Sequence, residues 1–179
     1  MPTLIVHLAV PLSIGLGLGG RIIPRRALAA GMVLALLPDL DVLAFRFGIP
    51  YHSPFGHRGF SHSLVFAAAT ALLFTLLIGA ARRRPLRAFL FLFVSAASHA
   101  LLDAMTDGGL GVALLWPFSN ERYFAPFRAI EVSPLGVSRF FSNRGMAVLQ
   151  SELVWVWAPL AGLGLSLFLM RRMRTVWTR

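Results

Sequence analysis

Histidines and aspartates occur in the most apolar parts of this sequence, where burying a charged group costs free energy. The segment GHRGFSHSL, residues 56–64, leads directly into VFAAATALLFTLLIGAA, which is apolar enough to enter a bilayer. Ionisable side chains within membrane segments are rare and mark functional sites. Seven side chains are candidates for chemistry on this basis: His7, Asp39, Asp41, His57, His62, His99 and Asp103.

These residue types suit the coordination of a divalent metal ion. Imidazole nitrogens and carboxylate oxygens bind zinc and, less selectively, manganese or iron. The sequence has no cysteine, which excludes thiolate ligands and disulfides. Because the candidates exceed one tetrahedral shell, the surplus indicates a second ion, a general base or carboxylates that orient the imidazoles. The predicted ligands of one or two ions are His7, Asp39, His57, His62, His99 and Asp103.

A metal centre of this kind predicts hydrolysis. A metal ion with an open position lowers the pKa of its bound water to about 7 and polarises the bond to be cut. Asp41 or Asp103 is then the carboxylate that takes the water's proton. The structural alternatives are a hydrogen bond from His7 to a backbone carbonyl and a hydrogen-bonded pair of His99 with Asp103. The recurrence of ionisable side chains at one level of the membrane favours a shared metal site over these alternatives.

The elements that carry these residues are predicted to be membrane helices. Hydrophobic residues make up 57% of the chain and charged residues 13%, and the charged share is about half that of a soluble domain. We expect an all-α, polytopic membrane protein whose helices form one bundle, with a single domain over residues 1–179. The predicted transmembrane spans, each near the required length of about 20 residues, are 4–20, 27–45, 61–81, 86–106 and 153–170, with an outer-face segment at 107–152.

The helical rise places polar residues of three spans at one depth. His7, Asp39 and His99 each lie about 18–20 Å from the inner end of their span at about 1.5 Å per residue. Asp103 follows His99 by four residues and therefore shares its helix face. Pro38 is expected to break the second span and to leave Asp39 on irregular backbone, which is tolerated only where it lines a cavity.

Three further local features are predicted. Ser61 is expected to be the N-cap of the third span, with His62 opening that span. His57 is expected to lie on the preceding loop and to fold back over the site. The small residues of GLGLGG, residues 15–20, predict a surface for helix packing.

Groups of arginines predict the orientation in the membrane. Their clusters at 21–26, 82–87 and 171–179 fall on one side of the five predicted spans, and the positive-inside rule makes that side cytoplasmic. The N-terminus is then outside and the C-terminus cytoplasmic. The site faces the outer side, about 10 Å below the outer boundary of the hydrocarbon core. Membrane topology explains the net charge of +10, so no nucleic-acid partner is expected.

Several motifs occur in a distinctive order and spacing over roughly the first 118 residues. They are His7, LPDLD at 37–41, GHRGFSHSL at 56–64, Ser98-His99 with Asp103 and Thr106, and LWPF at 115–118. In order and spacing they resemble the YdjM-like family of bacterial inner-membrane proteins, LexA-regulated metal-dependent hydrolases. The resemblance implies a multi-pass protein of the bacterial inner (cytoplasmic) membrane and a metal-dependent hydrolase activity, but it supplies no substrate.

A membrane lipid is the expected substrate, because the site faces the outer leaflet. Guanidinium groups bind phosphate oxygens bidentately, so Arg58, Arg122 and Arg128 are predicted to bind substrate and Arg58 also to act in catalysis. This favours a phosphoester or pyrophosphate. The alternatives are hydrolysis of a lipid amide or carboxylic ester, and a non-enzymatic metal or proton transporter. The apolar inner halves of the spans count against transport.

Overall fold

The computed structural model of the chain describes residues 1–79, 84–134 and 141–177, with the backbone alone for 174–177. No β-strand occurs in these ranges, and the prediction of an all-α protein is confirmed. The helical segments are α1 (Ala9–Leu18), α2 (Arg25–Leu36), α3 (Leu64–Leu77), α4 (Pro85–Ala104) and α5, which comprises Asn143–Glu152, the π-helical turn Leu153–Trp157 and Ala158–Trp177.

Three stretches of 3-10 helix adjoin the α-helices and carry most of the ligand-type side chains. Leu4–Leu8 leads into α1, Leu37–Phe47 continues α2, and Phe60–His62 precedes α3. Pro38 accounts for the second stretch, because proline has no amide hydrogen and the α-helical bond cannot form there. The predicted break at Pro38 is confirmed, but the chain beyond it is a 3-10 helix rather than irregular backbone.

The start of α3 differs from the prediction. Ser63 is the N-cap: its backbone is extended, and its side-chain oxygen accepts a hydrogen bond of 3.0 Å from the amide of Phe66. The 3-10 turn Phe60–His62 sets Ser61 too far ahead of the first α-helical turn to cap it. The prediction that Ser61 is the N-cap is therefore wrong, and its hydroxyl is available for another partner.

The last helix begins earlier than the predicted fifth span. Asn143–Glu152, which the sequence analysis placed in the outer-face segment, is the first part of α5. Residues 107–134 of that segment are irregular, with isolated bridges that join Thr106 to Ile130 and Val112 to Tyr123. The end of the predicted third span and part of an arginine cluster, at 80–83, lie outside the described residues, as do 135–140.

Among the described residues, three helices are long and apolar enough to cross a bilayer by length and composition. They are Arg25–Phe47, Pro85–Ala104 and Asn143–Met173, and the helices Leu4–Leu18 and Leu64–Leu77 are apolar but shorter. The helical bundle of a membrane protein is thus confirmed. The direction in which each helix runs through the membrane stays a prediction.

Helix packing brings the ligand-type residues to one end of the bundle. α4 packs against both α2 and α3, and α1 packs along α5. A Cβ atom added to Gly17 would lie 2.8 Å from the carbonyl oxygen of Gly164, so only glycine permits this approach of α1 to α5. The predicted packing role of the glycine-rich segment is confirmed at this position.

Candidate metal centre

Four ligand-type side chains meet between α4 and two of the 3-10 segments. Asp39 comes from Leu37–Phe47, His62 from the turn before α3, and His99 and Asp103 from α4. One ligand atom from each side chain lies within 4.8 Å of all the others. We call these four residues the quartet. The depth calculated from the helical rise predicted the meeting of Asp39 with His99, and the four-residue spacing predicted the addition of Asp103.

The hydrogen bonds around the quartet leave the Nε2 atom of each imidazole as an acceptor. His99 Nδ1 lies 2.7 Å from the carbonyl oxygen of Ala35, so this nitrogen donates and Nε2 carries the lone pair. His62 Nδ1 lies 3.1 Å from the Asp41 carboxylate, which fixes the same tautomer. The two Nε2 atoms then face each other at 3.1 Å.

Carboxylate oxygens surround these two nitrogens. His62 Nε2 lies 3.2 Å from Asp103 Oδ2, and His99 Nε2 lies 3.4 Å from Asp39 Oδ1. The oxygens of both aspartates are buried without a hydrogen-bond partner in the described part of the chain. Buried carboxylate oxygens that converge on imidazole lone pairs are costly unless a cation lies among them, and Arg58 Nε, 2.9 Å from Asp103 Oδ2, is close to one of the four oxygens. The donor set of two imidazoles and two carboxylates therefore fits a divalent metal ion.

His7 lies beside the quartet rather than within it. Its ring stacks on that of His99 with the centroids 3.8 Å apart. Its Nε2 atom lies 3.9 Å from Asp39 and 4.0 Å from Asp103. Both ring nitrogens are buried and have no hydrogen-bond partner among the described residues. The side chain is thus aimed at the quartet with a free nitrogen.

Asp41 organises the outer side of the site through four donors. Its Oδ1 atom lies 2.5 Å from His57 Nδ1, and its Oδ2 atom accepts bonds from the Ser61 hydroxyl at 2.6 Å and the Arg58 amide at 3.1 Å. The fourth donor is His62 Nδ1. A carboxylate that holds the far nitrogen of a metal-binding histidine fixes its ring orientation and raises its basicity.

His57 is, after His7, the second predicted ligand that lies outside the quartet. It lies on the loop before α3, as predicted, but its Nδ1 atom faces Asp41, and its ring stacks on Tyr51 with the centroids 5.3 Å apart. With Asp41 and His62 it forms a second group of possible metal ligands. His62 belongs to both groups, so the two share an imidazole.

Arg58 is fully buried behind Asp103. Its Nε atom lies 2.9 Å from Asp103 Oδ2, and its terminal nitrogens donate to the Thr106 hydroxyl at 3.1 Å and the Gly108 carbonyl at 3.0 Å. Its backbone has a positive φ of 61°, which residues other than glycine rarely adopt. The guanidinium thus holds Asp103 in place and offers no exposed face to a substrate.

The two other predicted substrate arginines differ in their surroundings. The terminal nitrogens of Arg122 donate to the carbonyls of His57, Tyr51 and Ser53 at 3.0–3.1 Å, so this side chain braces the loop before α3. Burial lowers the pKa of the Arg122 guanidinium. Arg128 is exposed, with its guanidinium 4.8 Å from the centre of the Phe124 ring. Only Arg128 of the three presents its charge to solvent.

Burial closes the site in this structure. Asp39 is 5% exposed, and His7, His62, His99 and Asp103 are each at most 1% exposed. A substrate therefore reaches the quartet only if a covering segment moves. The loop at 48–59 and the irregular segment at 107–134 lie over the site. Two bonds join them: Arg58 of the loop donates to the Gly108 carbonyl, and Arg122 of the segment donates to the His57 carbonyl.

The positioning roles of three residues were not predicted from the sequence. The Ser61 hydroxyl donates to Asp41, and the Thr106 hydroxyl accepts a bond from Arg58. The Glu152 carboxylate accepts bonds from the amide and the hydroxyl of Thr3, at 2.5 and 2.6 Å. Glu152 is 1% exposed and ties α5 to the turn that carries His7. Its signal was a lone acidic residue next to the apolar stretch of α5.

Comparison with known proteins identifies the family. The family described as YdjM inner membrane protein matches residues 1–176. The chain belongs to the YdjM family. The match extends well past residue 118, where the motif resemblance ended, and includes α5. No solved structure matches the chain.

Curated relatives agree with this membership. The inner membrane protein YbcI of Escherichia coli K12 is 55% identical over 161 residues, which cover 89% of this chain and 92% of YbcI. The inner membrane proteins YdjM of Escherichia coli K12 and of Shigella flexneri are each 34% identical over 95 residues, 49% of this chain and 47% of theirs. The chain is therefore a membrane protein of the YdjM family with a buried cluster of candidate metal ligands.

Proposed function

We propose that this protein is a metal-dependent hydrolase that cuts a phosphoester or pyrophosphate bond in a membrane lipid. The observation that carries the proposal is the quartet, in which two imidazole nitrogens and two carboxylates lie within 4.8 Å of one another, while Arg58 Nε lies 2.9 Å from one of the four carboxylate oxygens. A divalent ion, zinc first and manganese or iron as alternatives, supplies Lewis acidity and lowers the pKa of water.

Each residue of the site has a stated role in this proposal. Asp39, His62, His99 and Asp103 hold the ion. Asp41 orients His62 through its Nδ1 atom, and the four donors around Asp41 leave it less able to act as a general base than the sequence analysis expected. A second ion at the group of Asp41, His57 and His62 would displace these bonds, so we favour one ion.

His7 is the proposed proton acceptor. Its Nε2 atom is buried, unpartnered in the described residues and about equally distant from Asp39 and Asp103. A general base needs a free lone pair close to the water that attacks the substrate, and stacking on His99 fixes the His7 ring in that position. Asp103 is less suited, because Arg58 lies 2.9 Å from its Oδ2 atom.

A lipid substrate is supported by the position of the site and by Arg128. The ligands lie on or directly beside the apolar helices, so a substrate must reach them from the membrane or its boundary. Arg128 is the predicted phosphate-binding residue whose charge is exposed. The positive-inside rule makes the arginine-rich end of the bundle cytoplasmic. Because the metal site lies at the other end, we place it at the outer leaflet.

Metal or proton transport has less support than hydrolysis. Transport requires polar groups that continue from the quartet to the arginine-rich end. The described core on that side is apolar, with Leu34, Ala71, Phe91 and Leu92 packed together. The buried hydroxyl of Ser95 bonds to a carbonyl of its own helix and offers no relay.

The test of this proposal is turnover by the purified, metal-loaded protein. Lipid extract from bacterial inner membranes should release inorganic phosphate or a phosphorylated headgroup. His7→Ala should lower the rate at least 100-fold, a typical loss for a general base, while metal content stays at the wild-type level. His52→Ala, which removes an exposed imidazole that is not among the candidate ligands, should leave both unchanged.

Other products would overturn parts of the proposal. Release of a fatty acid or an amine would favour the ester or amide alternative. Loss of metal in His7→Ala would make His7 a ligand, as the sequence analysis predicted. Absence of any lipid product from fully loaded protein would reject lipid hydrolysis.

A further inference from the structure

Arginines lie at the end of the bundle opposite the quartet. All seven acidic residues of the sequence fall between Asp39 and Glu152, in the site or in the segments around it. Arg21 lies between α1 and α2, and Arg84 and Arg87 lie at the start of α4. Within the described ranges, none of these three arginines forms an ion pair with an acidic residue.

These three arginines line one cavity. It has a volume of about 190 Å³ and lies between the turn that precedes α2 and the first turn of α4. Its remaining lining is apolar and comes from Ile22, Ile23, Pro24, Ala27 and Ala88. A cavity that gathers guanidinium groups and has no acidic side chain is suited to an anion, because arginine binds phosphate oxygens bidentately.

An apolar groove continues from the same arginines. It shares Ile23, Arg84 and Arg87 with the charged cavity and has a volume of about 570 Å³. From there it runs between α1 and α4 towards the middle of the bundle. Its apolar lining includes Ile14, Leu18, Leu86, Leu90, Phe91 and Val94.

We propose that this cavity and groove bind one anionic phospholipid. Arg21, Arg84 and Arg87 hold the headgroup phosphate, and the groove holds an acyl chain. The cationic cavity adjoins the apolar groove, just as the charged phosphate of a phospholipid adjoins its apolar acyl chains. Basic pockets between membrane helices bind anionic headgroups in this way.

This lipid is distinct from the substrate of the proposed hydrolase. The apolar core that includes Leu34 and Phe91 lies between the two sites. The bound lipid would link α1, α2 and α4 at the end where the first residues of α4 are exposed. Its binding does not depend on the metal or on hydrolysis, so the two proposals fail or succeed independently.

The test is native mass spectrometry of the full chain in detergent, with added phosphatidylglycerol or phosphatidylcholine. We expect one phosphatidylglycerol to be retained at least 10-fold more tightly than phosphatidylcholine. Arg84→Gln/Arg87→Gln should weaken phosphatidylglycerol about 30-fold, from about 1 kcal/mol per arginine and a factor of ten per 1.4 kcal/mol. Arg25→Gln/Arg26→Gln, an equal charge change outside the cavity, should have less than a 3-fold effect.

A second pair of variants tests the groove without changing charge. Leu90→Trp fills the groove and should weaken phosphatidylglycerol at least 10-fold, whereas Leu76→Trp, an exposed position on α3, should not. Circular dichroism and gel filtration must match the wild type for each variant. Equal losses in both arginine pairs would overturn the proposal in favour of diffuse charge attraction. Equal retention of both lipids, no effect of Leu90→Trp, or lipid-free binding of inorganic phosphate with the same arginine dependence would also overturn it.

Discussion

At the scale of single residues, the site is defined by what holds the far nitrogen of each histidine. The carbonyl of Ala35 holds His99, and Asp41 holds His62, so both rings turn Nε2 inwards. The sequence predicted the ligand types and their depth, because apolar context and helical rise are visible in it. It could not predict the Ala35 carbonyl, because backbone acceptors carry no sequence signal. It also missed the role of Ser61, which depended on a 3-10 turn.

Asp41→Asn tests the orienting role of this carboxylate. An asparagine cannot accept all four donors, so the His62 ring loses its fixed tautomer, and metal affinity should fall about 10–100-fold. Asp107→Asn makes the same chemical change at an exposed residue outside the site and should leave the affinity unchanged. Competition with a chelator gives both affinities. An unaltered affinity in Asp41→Asn would remove Asp41 from the metal centre.

At the scale of elements, short 3-10 segments position the site more than the long helices do. Of the quartet and His7, three side chains lie on such segments: His7, Asp39 and His62. Apolar patterning predicted the helices and Pro38 predicted the break in α2. The patterning could not distinguish 3-10 from α-helix, since both bury apolar residues at similar spacing. The early start of α5 was missed because Asn143–Glu152 is much less apolar than the stretch it joins.

Introduced thiols test the direction of these elements in the membrane. Since the chain has no cysteine, a single substitution gives a single reactive site. His52→Cys, on the loop over the metal site, should react with an impermeant thiol reagent in intact spheroplasts. Gly20→Cys, at the arginine-rich end in open space, should react only after the membrane is permeabilised. The reverse labelling would place the metal site on the cytoplasmic side.

At the scale of the whole molecule, the chain separates two kinds of charge along the bundle. Buried carboxylates and imidazoles collect at one end, and arginines such as Arg21 and Arg87, which form no ion pair in the described part of the chain, lie at the other. An apolar core lies between the two ends. The sequence predicted this separation from composition and arginine spacing. It did not predict that Arg58 and Arg122 turn inwards, because that depends on the irregular segment at 107–134.

Metal content is the most direct measurement of the central claim. Purified protein incubated with zinc, manganese or iron and then desalted should retain at least one equivalent by plasma mass spectrometry. His62→Ala, His99→Ala and Asp103→Asn should each fall to background, while His52→Ala matches the wild type, and circular dichroism confirms that each variant is folded. Wild-type protein that retains none of the three metals, or folded variants that retain a full equivalent, would contradict the assignment of the quartet as a metal centre.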